Sequence, residues 1–163
     1  MTKTFIAVAL GLLVSSASIY PAIAASAEPM GVMHVIARIA GPDGGWDFAS
    51  YDAAHRRMYF SRDNGVTAID IDTGAVHPRF ARGADVHSVV VIPGGQELVT
   101  TNSGDDTARF VSATDGTLIA AVHTGKKPDA AAYDPASDLI FVMNGDSGTI
   151  TAIDPRTRKA AKT

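Results

Sequence analysis

The chain repeats itself at a spacing of about 42 residues, a period that marks a stack of like units, each burying its apolar face against the next. Ile69, Val111 and Ile153 lie one period apart, and each closes a short apolar run. Tyr51, Ile92 and Tyr133 form a second column at nearly the same interval. The flanks agree, since Thr67-Ala68-Ile69-Asp70 returns as Thr151-Ala152-Ile153-Asp154 and Tyr51-Asp52 as Tyr133-Asp134.

Within each repeat the apolar residues alternate or come in short runs, bounded by Gly, Asp, Asn and Pro, which is the pattern of strands and tight turns rather than helices. The first repeat predicts strands at Phe48–Tyr51, Arg57–Ser61, Val66–Ile71 and Val76–Ala81. The second predicts Ser88–Ile92, Glu97–Thr101, Thr107–Ser112 and Thr117–His123, and the third Ala130–Tyr133, Asp138–Met143 and Thr149–Ile153. Matching turns occupy Asp63-Asn64-Gly65, Asn102-Ser103-Gly104-Asp105 and Asn144-Gly145-Asp146-Ser147-Gly148, where Gly and Asn accept positive φ. Four antiparallel strands in about 42 residues make one propeller blade. The expected fold is therefore all-β, a partial β-propeller of about three four-stranded antiparallel blades over residues 46–163. The third blade is expected to be cut short, with its fourth strand due at Lys159–Thr163. Residues 28–45 are read as an N-terminal strand, Val32–Ala40, and a loop, Gly41–Gly45.

Residues 1–27 read as a secretory signal peptide. Lys3 supplies the positive start, Phe5–Val14 an apolar stretch of ten, and Ala22-Ile23-Ala24 and Ala25-Ser26-Ala27 the small-residue sites for cleavage. Ten residues rise about 15 Å as a helix, short of a ~30 Å hydrocarbon core, so no membrane span is expected after cleavage. Export points to the bacterial periplasm or the medium. The chain has no cysteine, which removes disulfides, thiolate metal sites, haem attachment through Cys-x-x-Cys-His and lipid anchors.

The formal charge is −3, and the basic residues are dispersed, with local groups only at Arg56-Arg57, Lys126-Lys127 and Arg156-x-Arg158-Lys159. Charge thus does not favour a nucleic-acid partner, which normally demands a basic stripe.

The repeats resemble those of the YVTN β-propeller family, the YncE-like periplasmic proteins. The resemblance rests on the blade-opening sequences Trp46-Asp47-Phe48, His87-Ser88-Val89 and Lys127-Pro128-Asp129-Ala130. It rests also on the Tyr133-Asp134-Pro135 turn, the Asn144-Gly145 hairpin and the strand endings Ile69-Asp70 and Ile153-Asp154. It implies a seven-bladed ring, for which this chain supplies about three blades and is read as the N-terminal part. It implies a binding or scaffold role, and no shared chemistry.

One column stands out as a candidate ligand site. Trp46, Asp47, His87 and Asp129 open the innermost strands of successive repeats, where such rings converge on a channel mouth. Two carboxylates and an imidazole suit a cation or a polar ligand, although capping of backbone amides and packing of Trp46 explain the same residues structurally. Asp70-Ile71-Asp72-Thr73-Gly74 imitates the start of a calcium loop but has Ala75 and Ala81 where Gly and Glu belong. His34, His55, His77, His87 and His123 lack metal-ligand spacing, and no Gly-x-Ser-x-Gly elbow or phosphate loop is present. Tyr51, Tyr59, Tyr133 and Phe141 recur with the repeat and read as blade core.

No catalytic, metal or cofactor motif emerges. The reading is a non-enzymatic exported scaffold for an unknown ligand or protein partner, with open blade faces that invite self-association. Two rivals stay open: part of a propeller enzyme (a lactonase or cofactor-dependent oxidoreductase), or a propeller that binds a polyanion such as single-stranded DNA.

Overall fold

Runs such as Leu98-Val99 and Ile140-Phe141-Val142 carry apolar side chains to both faces of a strand, so each sheet needs a cover on both sides. The computed structural model describes residues 33–163 and meets that need by stacking sheets. The signal-peptide reading of residues 1–27 lies outside the described residues. The chain divides into two units, Met1–Ala37 and Arg38–Thr163, and the fold below is that of the second.

Blade one contains β1 (Ala49–Asp52), β2 (Arg57–Arg62), β3 (Gly65–Asp70) and β4 (Val76–Arg82). Blade two contains β5 (Val86–Val91), β6 (Glu97–Asn102), β7 (Thr107–Ser112) and β8 (Leu118–His123). Blade three contains β9 (Pro128–Asp134), β10 (Leu139–Asn144), β11 (Thr149–Asp154) and β12 (Lys159–Lys162). Each sheet is an antiparallel meander with strands in chain order, and no helix occurs among the described residues. Every strand expected within the blades forms, with its ends close to those predicted.

Two expectations need correction. Blade three does have its fourth strand: β12 pairs with β11 through Asp154 with Lys159 and Ile153 with Ala160. Its exposed Lys-Ala-Ala-Lys carries no apolar alternation to announce it, and the β11 ladder alone makes it a strand. The N-terminal strand expected at Val32–Ala40 is absent from residues 33–40, because a strand exists only when a neighbour completes its ladder.

The turns explain the repeat. Gly74, Gly116 and Arg158 recur one period apart, all with positive φ (72°, 75° and 53°). Their amides donate to the carbonyls of Asp70, Ser112 and Asp154 at 2.8–2.9 Å. The side chain at the head of each turn accepts further amides, from Asp72 and Thr73, Thr114 and Asp115, and Arg156 and Thr157. These hydrogen bonds hold Asp70 and Asp154 below the usual carboxylate range, Asp70 chiefly through Thr73 and Asp154 chiefly through Arg156. The calcium-like Asp70-x-Asp72 is thus a turn: Asp70 caps amides, and Asp72 grips Arg56 at 2.6 Å.

Two cores lie between the blades. Tyr59, Val66 and Ala68 of blade one meet Val86, Val89, Leu98 and Val111 of blade two. Val99, Ala108 and Phe110 of blade two meet Ile140, Val142 and Ile153 of blade three. Of the recurrent aromatic residues only Tyr59 is fully buried, its hydroxyl donating to the Ala113 carbonyl at 3.1 Å. Tyr51 is 49% exposed and is not core, while Tyr133 and Phe141 are half-buried.

The two end faces differ. Blade one's far face is covered by its own leader: buried Arg62 donates to the carbonyls of Pro42, Asp43 and Gly45 and to Thr67 Oγ1. Blade three's far face carries Phe141, Met143, Ile150 and Ala152, paired across β10 and β11. Met143 and Ile150 are exposed there. Phe141, Ile150 and Ala152 stand one repeat on from Val99, Ala108 and Phe110, so the open face is the counterpart of blade two's buried one.

Candidate functional site

The ladders give the candidate column its physical meaning. Ala49, Val89 and Ala131 pair with Phe60, Thr100 and Val142 at matching places in the three sheets. Asp47, His87 and Asp129 stand just before each of them at the same offset, so they hold the same position in their blades.

The structure joins two of these three residues. His87 Nδ1 lies 2.8 Å from Asp47 Oδ2, across the boundary between blades one and two. Its Nε2 lies 3.4 Å from Asp85 Oδ2, so the imidazole stands between two carboxylates. Asp85 and Asp47 are exposed and His87 is half-buried. Partial burial pulls the His87 pKa down, but the Asp47 hydrogen bond and the Asp85 charge outweigh it, and the net shift is upward from 6.5. The protonated ring donates from both nitrogens, one to each carboxylate.

Backbone contacts lock this geometry. The His87 carbonyl accepts from the Phe48 amide at 3.3 Å and from the buried Ser61 hydroxyl at 2.5 Å. Asp85 has positive φ (53°), its amide donates to the Asp63 carbonyl at 2.7 Å, and its carbonyl accepts from the Ser103 amide at 2.9 Å. Lys127, its counterpart in the next repeat, has the same conformation (54°) and its carbonyl accepts from the Gly145 amide.

Asp129 does not join the His87 cluster. Its nearest hydroxyl is that of Ser103, 3.4 Å from Oδ1 and 3.1 Å from the Pro128 carbonyl oxygen. Gly145 packs against it, and a Cβ there would fall 2.1 Å from Asp129 Oδ2. The Asn144-Gly145 hairpin therefore needs glycine for close approach. Trp46 also stays apart, edge-on to Phe60 at 5.3 Å and with the Arg62 guanidinium 4.1 Å over its ring. The ring packs on its own blade and is 43% exposed.

Asp85 escapes sequence reading because it lies outside the repeat's apolar columns. Its one sequence signal is its alignment with Lys127, a linker position whose backbone conformation recurs. Among the described residues no group of three or more His, Asp or Glu is arranged to hold a metal ion. No helix among them is long and apolar enough to cross a membrane.

The stacked four-stranded meanders define the fold as a β-propeller arc of three blades. Among solved structures it is similar to the Kuenenia stuttgartiensis hydrazine synthase, a β-propeller-containing protein, with a TM-score of 0.67 and 18% identity. The alignment covers 80% of this chain and 38% of that one. At that identity the likeness is one of fold alone. No family model matches the chain, and no curated protein matches its sequence.

Proposed function

We propose that the chain is an exported, non-enzymatic scaffold of the YVTN β-propeller kind, binding a polar ligand or partner where its innermost strands begin. The observation that carries this reading is the Asp47–His87–Asp85 cluster. Among the described residues its two carboxylates accept from His87 alone, and neither serves a turn or a core there. Other carboxylates serve the fold: Asp52 and Asp134 accept turn amides, Asp72 pairs with Arg56, Asp106 with Lys126, and Glu97 with Arg158. Two carboxylates around one imidazole offer negative charge and acceptor oxygens to a cationic or hydrogen-bond-donating ligand.

The signal-like N-terminus supports the periplasm or the medium as location. The apolar far face of blade three supports association with a further sheet, from a second copy or from additional blades of a larger ring.

The test is thermal unfolding of the full chain with a panel of small amines and amino sugars, comparing wild type with the Asp47→Asn, His87→Asn double variant. A ligand that raises the wild-type midpoint and not that of the variant bears the reading out. Multiple turnovers of a lactone or of a dye-linked oxidation by the purified chain would overturn it.

A further inference from the structure

The sequence disperses its basic residues, but the fold gathers four arginines at the outer edge of the boundary between blades one and two. Arg79 and Arg82 come from β4, Arg57 from β2 and Arg109 from β7. They line two adjoining clefts of about 390 and 400 Å³ that share Arg79, Phe80 and Asp115. Each volume is sufficient for a small ligand.

The arginines differ in what already occupies them. Arg57 lies 5.7 Å over the Phe80 ring and donates through Nη1 to the Ala113 and Thr114 carbonyls, while its buried Nε has no hydrogen-bond partner. Arg109 pairs with Asp105 and reaches the Arg82 carbonyl at 3.5 Å. The side chains of Arg79 and Arg82 make no ion pair or hydrogen bond among the described residues. Among the described residues Asp115 is the one carboxylate lining these two clefts, and its Oδ1 is engaged by the Thr117 amide. The four arginines thus stand beside one lining carboxylate, with Asp105 held by Arg109 and Asp43 lining a further cleft with Arg79, in a chain whose net charge is −3.

Basic residues and a proline on an outer strand protect its edge from pairing, which accounts for Pro78, Arg79 and Arg82 on β4. That function gives no reason for Arg109, from β7, to line the same cleft as Arg79 and Arg82. We infer that the cleft of about 400 Å³ lined by Arg79, Arg82 and Arg109 binds a small multivalent oxyanion, of the phosphate or polycarboxylate type, with Arg79 and Arg82 as its principal ligands. Guanidinium forks match the planar or tetrahedral oxygens of such groups. Phe80 supplies an apolar floor beside them.

The inference does not depend on the His87 cluster. Calorimetric titration of the full chain with pyrophosphate and, separately, citrate tests it, with Arg79→Ala, Arg82→Ala against the exposed control pair Lys159→Ala, Lys162→Ala. Circular dichroism confirms folding of each. The expected result is saturable binding of at least one anion that weakens roughly tenfold or more in the arginine variant only, as loss of charge-assisted hydrogen bonds demands. Preference for pyrophosphate assigns the phosphate type, and preference for citrate the carboxylate type. Absence of binding by both anions, or equal weakening in both variants, overturns the proposal.

Discussion

His87 Nδ1 and Asp47 Oδ2, 2.8 Å apart, join the first strand of blade two to the residues that lead into blade one. The link gains from protonation of the imidazole, and the folded-state pKa of His87 is raised above 6.5 by Asp47 and Asp85 despite opposing burial. A raised folded-state pKa contributes stability that is complete below the unfolded value and is lost as pH rises through the folded one. His87→Asn should therefore lower the unfolding midpoint more at about pH 5.5 than at about pH 8.5. Paired thermal melts measure the difference; an equal loss at both values counts against a charged bridge.

Tyr59→Phe isolates one buried bond. The hydroxyl donates to the Ala113 carbonyl, which keeps a second donor in Arg57 Nη1 at 3.3 Å. Because the acceptor is not orphaned, the expected cost is about 0.5–1.5 kcal/mol, read by urea unfolding with an unchanged m-value.

Phe110 is completely buried between blades two and three, so Phe110→Ala should cost about 3–5 kcal/mol. If the two blades were independent, the variant would lose little, and the same urea titration distinguishes the cases.

Gly74 and Gly116 occupy equivalent turns but predict different outcomes. A Cβ at Gly116 would lie 1.7 Å from the Phe80 carbonyl oxygen, whereas at Gly74 its nearest neighbour is Ile39 Cδ1 at 3.9 Å. Gly74→Ala should cost about 1 kcal/mol for the left-handed backbone alone. Gly116→Ala should cost about 3 kcal/mol or more, because β4 must also move. Comparable midpoints for the two variants would refute the distinction.

Met143 and Ile150 are directly paired across β10 and β11 on the open face of blade three. Converting them to Met143→Lys and Ile150→Glu keeps a favourable cross-strand pair while removing the apolar surface. Sedimentation should show wild type associating with rising concentration and the double variant remaining monomeric.

The strand pattern was legible because it depends on local chemistry. Alternation sets which residues form strands, and Asn, Asp and Gly set the turns; the column Ile69, Val111, Ile153 followed from one template applied to each repeat in turn. The shared position of Asp47, His87 and Asp129 could likewise be read from repeat spacing. The period placed a fourth strand at Lys159–Thr163, but nothing local showed that β12 would form there, since its residues owe their conformation to β11.

The sequence by itself determined the repeat, the meander and the candidate positions, because period and turn chemistry are properties of neighbours along the chain. Tertiary structure alone decided that His87 meets Asp47 and Asp85 while Asp129 turns to Ser103. It alone brought Arg57, Arg79, Arg82 and Arg109 to the clefts beside β4. Apart from the local Asp85–His87 pair, those contacts join residues from different strands and blades, and the stacking of one sheet on the next sets their distances.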